Sequence, residues 1–336
     1  MTHARGWRAG GLARVDISAA DIGRRVTVRH ELTSGQLTDV VGNLDSWTSD
    51  GPRPASLSVT NRRGMQTSIE SSRLVAARVV PPEVSAAALQ RLSEAGWPPA
   101  ESESLGDWML RATYGVTGRA NSARLTGDPG VPIGEALARV EGWYAERELT
   151  PQLQIPMPSG IESTLVAAGW ASHRRTRFEI AETAAVIALT EDSDAAAAIE
   201  RIPEPTDEWM GVLADEAPAT WPVLKSILTG PSDSVFVSAR DASTNKLLGT
   251  GRASASPSQV GGSRWAGITN VETVPAAKRR GVATRIVAEL ASWAETRGCE
   301  RMYLQVLDPN EAAAALYARL GFSFHHAYEY WSRNVS

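Results

Sequence analysis

A strand-forming stretch that opens at Gly267 stops at Pro275 and passes through Lys278-Arg279-Arg280-Gly281-Val282-Ala283 into a strongly periodic helix. No other junction in the chain narrows the choice of fold as much. Proline has no N–H to give a ladder, so the strand ends there, and Gly281 lets the turn take backbone angles that other residues resist. Val282, Ile286, Leu290 and Trp293 then recur at helical spacing, so one face packs inward while the free N–H groups of the first turn point back at the loop. Those donors, the positive end of the helix dipole and a ring of Lys278, Arg279, Arg280 and Arg285 favour an anion the size of a diphosphate. A basic turn with one glycine also describes an ordinary solvated helix start, so the weight falls on what comes next.

Met302-Tyr303-Leu304-Gln305-Val306 reads as a buried strand, Asp308-Pro309-Asn310 as a turn, and residues 311–320 as a short helix ended by Gly321, with Phe322 after it. This order, strand, basic Gly turn, helix, strand, Asn turn and helix, resembles the GNAT superfamily of acyl-CoA-dependent N-acyltransferases. That family's first-helix pattern is Gln/Arg-x-x-Gly-x-Gly/Ala, met here by residues 278–283. Its second, Asn-x-x-Ala-x-x-Leu-Tyr-x-x-x-Gly-Phe, is met by Asn310, Ala313, Leu316, Tyr317, Gly321 and Phe322. Lys278 stands where Gln or Arg is usual, which keeps the charge and loses a planar donor fork. The resemblance covers roughly the last 140 residues.

The resemblance implies acetyl-CoA as donor, with coenzyme A released, and it assigns roles. The strand edge at Val271, Thr273 and Val274 would give backbone N–H groups to the thioester oxygen and the pantetheine. Lys278, Arg279, Arg280, Gly281, Val282, Ala283 and Thr284 would cradle the diphosphate. Asn310 would cap the last helix and orient the pantetheine arm. Tyr317, one turn into that helix, would face the sulfur as general acid, the plain alternative being a core aromatic.

Amide formation also needs a base for the amine. Glu272, on the central strand, is the first candidate, although strand alternation can equally turn it from the cleft. Asp308, His325 and His326 are further candidates. The five histidines do not cluster with carboxylates at ligand spacing, so no metal is expected.

A chain of 336 residues has room for two or three domains. Its net charge of −4 lacks the basic balance of a nucleic-acid binder, so the basic turn is local. No apolar run approaches the roughly 18 residues of a membrane helix, no apolar signal region opens the chain, and the cytoplasm is the expected location. The single cysteine, Cys299, forms no internal disulfide and has no neighbouring His, so it reads as core filler and not as a nucleophile. Oligomeric state is not readable.

Residues 1–14, rich in Gly and Arg, read as a loose tail. Residues 15–82 carry about five short alternating strands near 25–29, 40–44, 55–60, 67–69 and 74–80, punctuated by turns at Ser34-Gly35, 49–52 and Arg63-Gly64. That is the pattern of a small SH3-like β-barrel, with Pro81-Pro82 at its boundary.

The next region, 83–190, repeats the C-terminal one. Trp143 corresponds to Trp293, residues 147–155 match 297–306 with one gap, and Leu165 to Gly169-Trp170 match Leu316 to Gly321-Phe322. At the place of the basic turn, however, stands Gly127-Asp128-Pro129-Gly130-Val131-Pro132, and Val166 replaces the tyrosine. This reads as a degenerate GNAT-like lobe that has lost coenzyme binding. Arg119 and Asn121 either line the cleft or stitch the lobes together.

Residues 191–205 read as an acidic connection, and 191–336 as the catalytic lobe. Its helical pieces near 207–213 and 219–228 would roof an acceptor pocket that Trp209 and Trp221 could line. A hairpin of 235–239 with 247–253 and a Ser/Gly loop over 254–263 would lead to the central strand.

The expected fold is therefore α/β: two tandem GNAT lobes with a mixed sheet and flanking helices, behind a small all-β barrel. The expected activity is transfer of an acetyl group to a primary amine, on a small molecule, a protein lysine or an N-terminus. An acyl-CoA-binding sensor without transfer is the alternative, and Tyr317 speaks against it.

Overall fold

The computed structural model describes residues 15–48, 55–61, 65–80, 84–191, 197–213 and 217–333. The tail at 1–14, the turns expected at 49–52 and 63–64 and the boundary at 81–82 lie outside them. The chain divides into two compact units, Met1–Glu83 and Val84–Ser336.

The first unit is a six-stranded sheet of β1 (Val15–Asp16), β2 (Arg25–Glu31), β3 (Leu37–Thr48), β4 (Ser56–Asn61), β5 (Gln66–Glu70) and β6 (Leu74–Val79), in the order β1-β6-β2-β3-β4-β5. Strand alternation fills its core: Val26, Val28, Val40, Leu44, Leu57, Val59 and Ile69 point inward, and their polar neighbours face solvent. A side chain on Gly42 would run into the Thr60 carbonyl, so β3 and β4 can approach only there without one.

The second unit begins with α1 (Ala86–Ala95), β7 (Glu101–Leu105), β8 (Trp108–Ala112), β9 (Ala123–Arg124), α2 (Ile133–Ala145), β10 (Gln152–Met157), α3 (Glu162–Ala167), β11 (Trp170–Glu182) and α4 (Thr183–Thr190). It continues through β12 (Ala197–Ile202), α5 (Asp207–Met210), α6 (Trp221–Thr229), β13 (Ser234–Asp241), β14 (Leu247–Val260) and β15 (Ser263–Thr273). It ends with α7 (Val282–Thr296), β16 (Arg301–Leu307), α8 (Glu311–Arg319) and β17 (Ser323–Arg333). One 11-stranded sheet runs through both lobes in the order β12-β13-β14-β15-β16-β11-β17-β10-β9-β8-β7.

The lobes exchange their final strands. β11, which ends the first repeat in sequence, inserts between β16 and β17, and β17, which ends the second, pairs with β10 of the first (Gln154↔Tyr330, Ile155↔Glu329). On one side of the sheet α7 buries Val282, Ile286, Leu290 and Trp293, the face its spacing predicts. Gly249 and Gly251 on β14 make room for Ile286. Each such apolar side chain contributes about 1.5–3 kcal/mol of burial. The equivalent helix of the first lobe, α2, packs Val140, Trp143 and Tyr144 against its own core.

Three local expectations are corrected. The acidic, Ala-rich run taken as a connection contains β12, which gains regularity by pairing with β13, a tertiary contact that overrides weak strand propensity. The expected Ser/Gly loop is mostly strand, since β14 extends to Val260 and turns at Gly261 (φ 64°) and Gly262 (φ 77°). Trp209 is not a pocket wall: fully buried, it packs edge-on against Phe236 and donates to the Val237 carbonyl at 3.0 Å.

Candidate active site

The site lies where β15 and β16 part. They pair in parallel only from Trp265 to Gly267 against Arg301 to Tyr303, and the rest of β15 shares no ladder with β16. A bulge at Asn270 (φ 54°) breaks the register of β15 against β14, between Thr250↔Glu272 and Arg252↔Thr269. Bulges re-aim strand edges in this way.

Amide directions past the bulge follow from one bond. Val274 donates its N–H to the Leu248 carbonyl at 2.9 Å, so this amide is engaged with β14 and not free for a ligand, a correction to the sequence expectation. By alternation the Thr273 amide points the other way, toward the gap. Val271 is half-buried on the same edge.

The chain then makes the turn that the Pro and Gly positions predict. Arg279 (φ 62°) and Gly281 (φ 76°) both take left-handed backbone, and alternation of this kind curls successive N–H groups into a concave anion site. Gly281 is the N-cap of α7 and supplies no side-chain acceptor, so no side chain caps the first-turn amides of Val282, Ala283 and Thr284. Lys278, Arg279 and Arg280 are exposed around the turn, and the buried Nε of Arg285 has no partner. The residues present thus fit a diphosphate by shape, charge and an orphaned donor.

Tyr317 sits seven residues into α8, nearly two turns and not one, and is buried beside Phe322, Leu320 and Val306. Burial raises its phenol pKa, and the charges of Glu272 and Glu179 raise it further. It is therefore protonated at neutral pH, and both carboxylates lie within electrostatic reach of it. Glu272 is exposed at the end of β15. Glu179, buried at 2 % exposure on β11 and held by Arg177 Nε at 2.8 Å, escaped the sequence reading because nothing local shows that β11 pairs with β16. Asn310 caps α8 as predicted, accepting from the Ala313 N–H at 3.1 Å.

The other base candidates are engaged elsewhere. Asp308 pairs with Arg175 at 3.4 Å and Arg177 at 3.8 Å. His326 is buried against Gln90 (2.9 Å) and His325 (2.8 Å), and His325 reaches the Val84 carbonyl at 2.9 Å. Cys299 is buried with its thiol pushed up to about 11 by desolvation, so it is no nucleophile. A surface cleft lined by Thr183, Cys299 and Arg301 lies at the opposite end of β16 from α8 and holds none of these groups.

A family described as the C-terminal region of "Probable histone acetyltransferase Rv0428c" matches residues 85–331, and one described as an Rv0428c N-terminal Sm-like domain matches residues 20–78. The chain belongs to this family. It is a tandem GNAT acyltransferase preceded by a small Sm-like β-barrel. It is 28% identical over 332 residues to the Mycobacterium tuberculosis protein of that name, covering 94% of this chain and 96% of the relative. It is 28% identical over 241 residues to "Uncharacterized N-acetyltransferase YobR" of Bacillus subtilis, covering 70% and 93%. A GCN5-related N-acetyltransferase from Kribbella flavida shares the fold at a TM-score of 0.59 and 16% identity, over 75% of this chain and 96% of that one. A tandem GNAT protein from the clavulanic acid biosynthesis pathway does so at 0.53 and 13%, over 76% and 91%.

In this GNAT protein the two lobes differ at the turn before the helix. At the equivalent place in the first, the Asp107 carboxylate accepts from the Asp128 N–H at 3.0 Å, and a side chain on Gly127 would strike Asp107. Asn121 spends its amide on the backbone of the 113–117 loop and so stitches that loop, not the two lobes. Among the described residues no helix is long and apolar enough to cross a membrane.

Proposed function

We propose that the protein acetylates a primary amine from acetyl-CoA by direct transfer within a ternary complex. The observation that carries this reading is the conjunction, at the open end of β15 and β16, of the Arg279–Gly281 turn with a buried Tyr317 whose phenol burial keeps protonated. The loop amides of Val282 to Thr284, with Lys278, Arg279, Arg280 and Arg285, would hold the diphosphate. The Thr273 amide and the neighbouring edge of β15 at Val271 would receive the acyl oxygen, and Asn310 would stand beside the pantetheine arm. When bound, acetyl-CoA supplies an activated acyl thioester whose C–S bond breaks as a C–N bond forms.

The chain's own residues then have two proton tasks. Tyr317, kept protonated by burial, gives its phenolic proton to the departing sulfur. Glu272, exposed at the end of β15, takes the proton of the attacking ammonium directly or through water. The Glu179 carboxylate helps to raise the phenol's pKa, which opposes loss of its proton before the leaving group needs it.

The test is acetyl-CoA binding by calorimetry on the wild type and on Arg280→Glu/Gly281→Asp, followed by thiol release against an amine panel. Binding by the wild type alone, with thiol release that falls in Tyr317→Phe, supports transfer. Tight binding with no thiol release on a broad panel favours a non-catalytic sensor, and absence of binding overturns both.

A further inference from the structure

The face of the sheet covered by α1 carries three guanidinium groups with no acid against them. Arg252 on β14 is fully buried. Its Nε donates to the Leu228 carbonyl at 2.9 Å and its Nη1 to the Gly96 carbonyl at 3.1 Å and to Thr269 Oγ1 at 3.3 Å, while Nη2 has no partner. Arg119, between β8 and β9, lies over the Trp97 ring at 4.9 Å with its buried Nε unpaired. Arg174 lies over Tyr330 at 4.7 Å and donates only to His173 and to Gln152 (3.3 Å each). Among the described residues none of the three meets a carboxylate.

Arg119 and Arg252 are neighbours: Trp97, under Arg119, follows Gly96, whose carbonyl Arg252 reaches. The charge of Arg119 acts on Arg252, on Tyr303 and on Tyr330, and Arg252 acts on Tyr303 in turn. Beside them Gln305 accepts from the Tyr328 hydroxyl at 2.7 Å and leaves its own buried Nε2 unpaired. Three buried donors, Arg252 Nη2, Arg119 Nε and Gln305 Nε2, thus lack acceptors in one neighbourhood. A buried guanidinium without a counter-charge is costly to hold, and an unsatisfied buried donor calls for a specific account.

The account comes from the ladder. Arg252 stands opposite Thr269, and Thr250, two residues back on β14, stands opposite Glu272. The two side chains therefore leave the ladder from positions about 7 Å apart along the strand. A negative group at one end and positive groups at the other suit a small zwitterion whose ammonium goes to Glu272.

We propose that the acceptor is an amino acid or other small amino-carboxylate, its carboxylate received by Arg252 and Arg119. This rests on the acetyl-transfer reading and narrows it. A lysine-rich peptide would bring further cations against the three arginines, and the same field repels it.

The full-length protein is given acetyl-CoA and matched acceptors: glycine, L-phenylalanine and L-lysine, the carboxamide of each, and a lysine-rich histone-tail peptide with an amidated C-terminus. The expected result is at least a tenfold preference in kcat/KM for the carboxylate members. Arg119→Gln and Arg252→Gln should erase it through KM, with kcat little changed. Without acetyl-CoA, the same free amino acids, and not their amides at equal ionic strength, should raise the unfolding temperature of the wild type and not of the variants. Should Arg252→Gln fail to fold, Arg119→Gln on its half-buried loop carries the test alone.

Equal or better use of the amides or the histone peptide overturns the proposal and leaves acetyl transfer standing. If acetyl-CoA does not bind, transfer falls, and the thermal shift still decides: a carboxylate-specific shift lost in the variants supports the anion site, and no shift overturns it.

Discussion

The rings of Tyr317 and Phe322 meet edge-on, with centroids 5.7 Å apart and planes at 70°. Such a contact holds the ring by packing, independently of its hydroxyl. Tyr317→Phe should therefore fold normally, keep its affinity for acetyl-CoA and lose about 10²-fold or more in kcat, the scale of a general acid. Steady-state thiol release beside calorimetry checks this. A variant that loses affinity and keeps its rate would make Tyr317 a binding residue.

Gly281 adopts φ 76° at the start of α7, where a β-branched residue is a steric outlier. Gly281→Val should raise the Kd for acetyl-CoA at least tenfold. The unfolding free energy should fall by only about 1–2 kcal/mol, because the cost is confined to one turn. Calorimetry together with chemical unfolding separates the two effects.

Glu94 receives Arg124 Nε at 2.6 Å and Arg111 Nη1 at 3.2 Å, and both arginines are 2 % exposed. Removing the shared acid leaves two buried cations unanswered. Glu94→Ala should cost about 3–5 kcal/mol, and the triple change Glu94→Leu/Arg111→Met/Arg124→Met should recover much of it, since replacing a whole buried network is often neutral. Urea unfolding of both variants is the measurement.

His326 is held near a value of about 4, below the ordinary 6.5, by burial and then by His325. It is neutral in the fold at pH 7. Between pH 6.5 and 4 the unfolded chain takes up a proton that the folded chain does not, so stability is lost as the pH falls. At pH 5 the loss is about 2 kcal/mol from this group. The wild type should lose more stability between pH 7 and 5 than His326→Asn, as read by paired thermal scans.

Gly42 sits where an added methyl group meets backbone, the Thr60 carbonyl, which cannot step aside as a side chain can. Gly42→Ala should unfold or loosen the N-terminal barrel. Because Val84–Ser336 is a compact unit by itself, thiol release should persist. Hydrogen exchange localised to β3 and β4, measured with the transfer assay, distinguishes this from global unfolding.

The parts of this fold that were legible in sequence are those whose signals are local. Val282, Ile286, Leu290 and Trp293 mark α7 by period, Gly281 marks its entry by conformation, and Asn310 marks the cap of α8. The repeat revealed two lobes because Trp143 and Trp293 occupy matching helices. Strand exchange was hidden, since pairing partners more than a hundred residues apart leave no local trace, and with it went Glu179 and the buried placement of His326. β12 was hidden because its residues are weak strand formers that become regular only beside β13. The orphaned donors of Arg252 and Arg119 could not be read at all, because an unmet hydrogen bond exists only once every neighbour is in place.

The interleaving of β11 and β17 also sets when the molecule can close. β11 leaves the ribosome more than a hundred residues before β16, the neighbour it pairs with, and β10 waits as long for β17. Contacts of such sequence separation close slowly, and until then both strands present open edges. The eleven residues of β17 are the last strand among the described residues, and with β11 they join both halves. A chain truncated before them keeps every residue of the anion loop and has no finished sheet to hold it, so early stops near the C-terminus act as failures of folding before they act on catalysis.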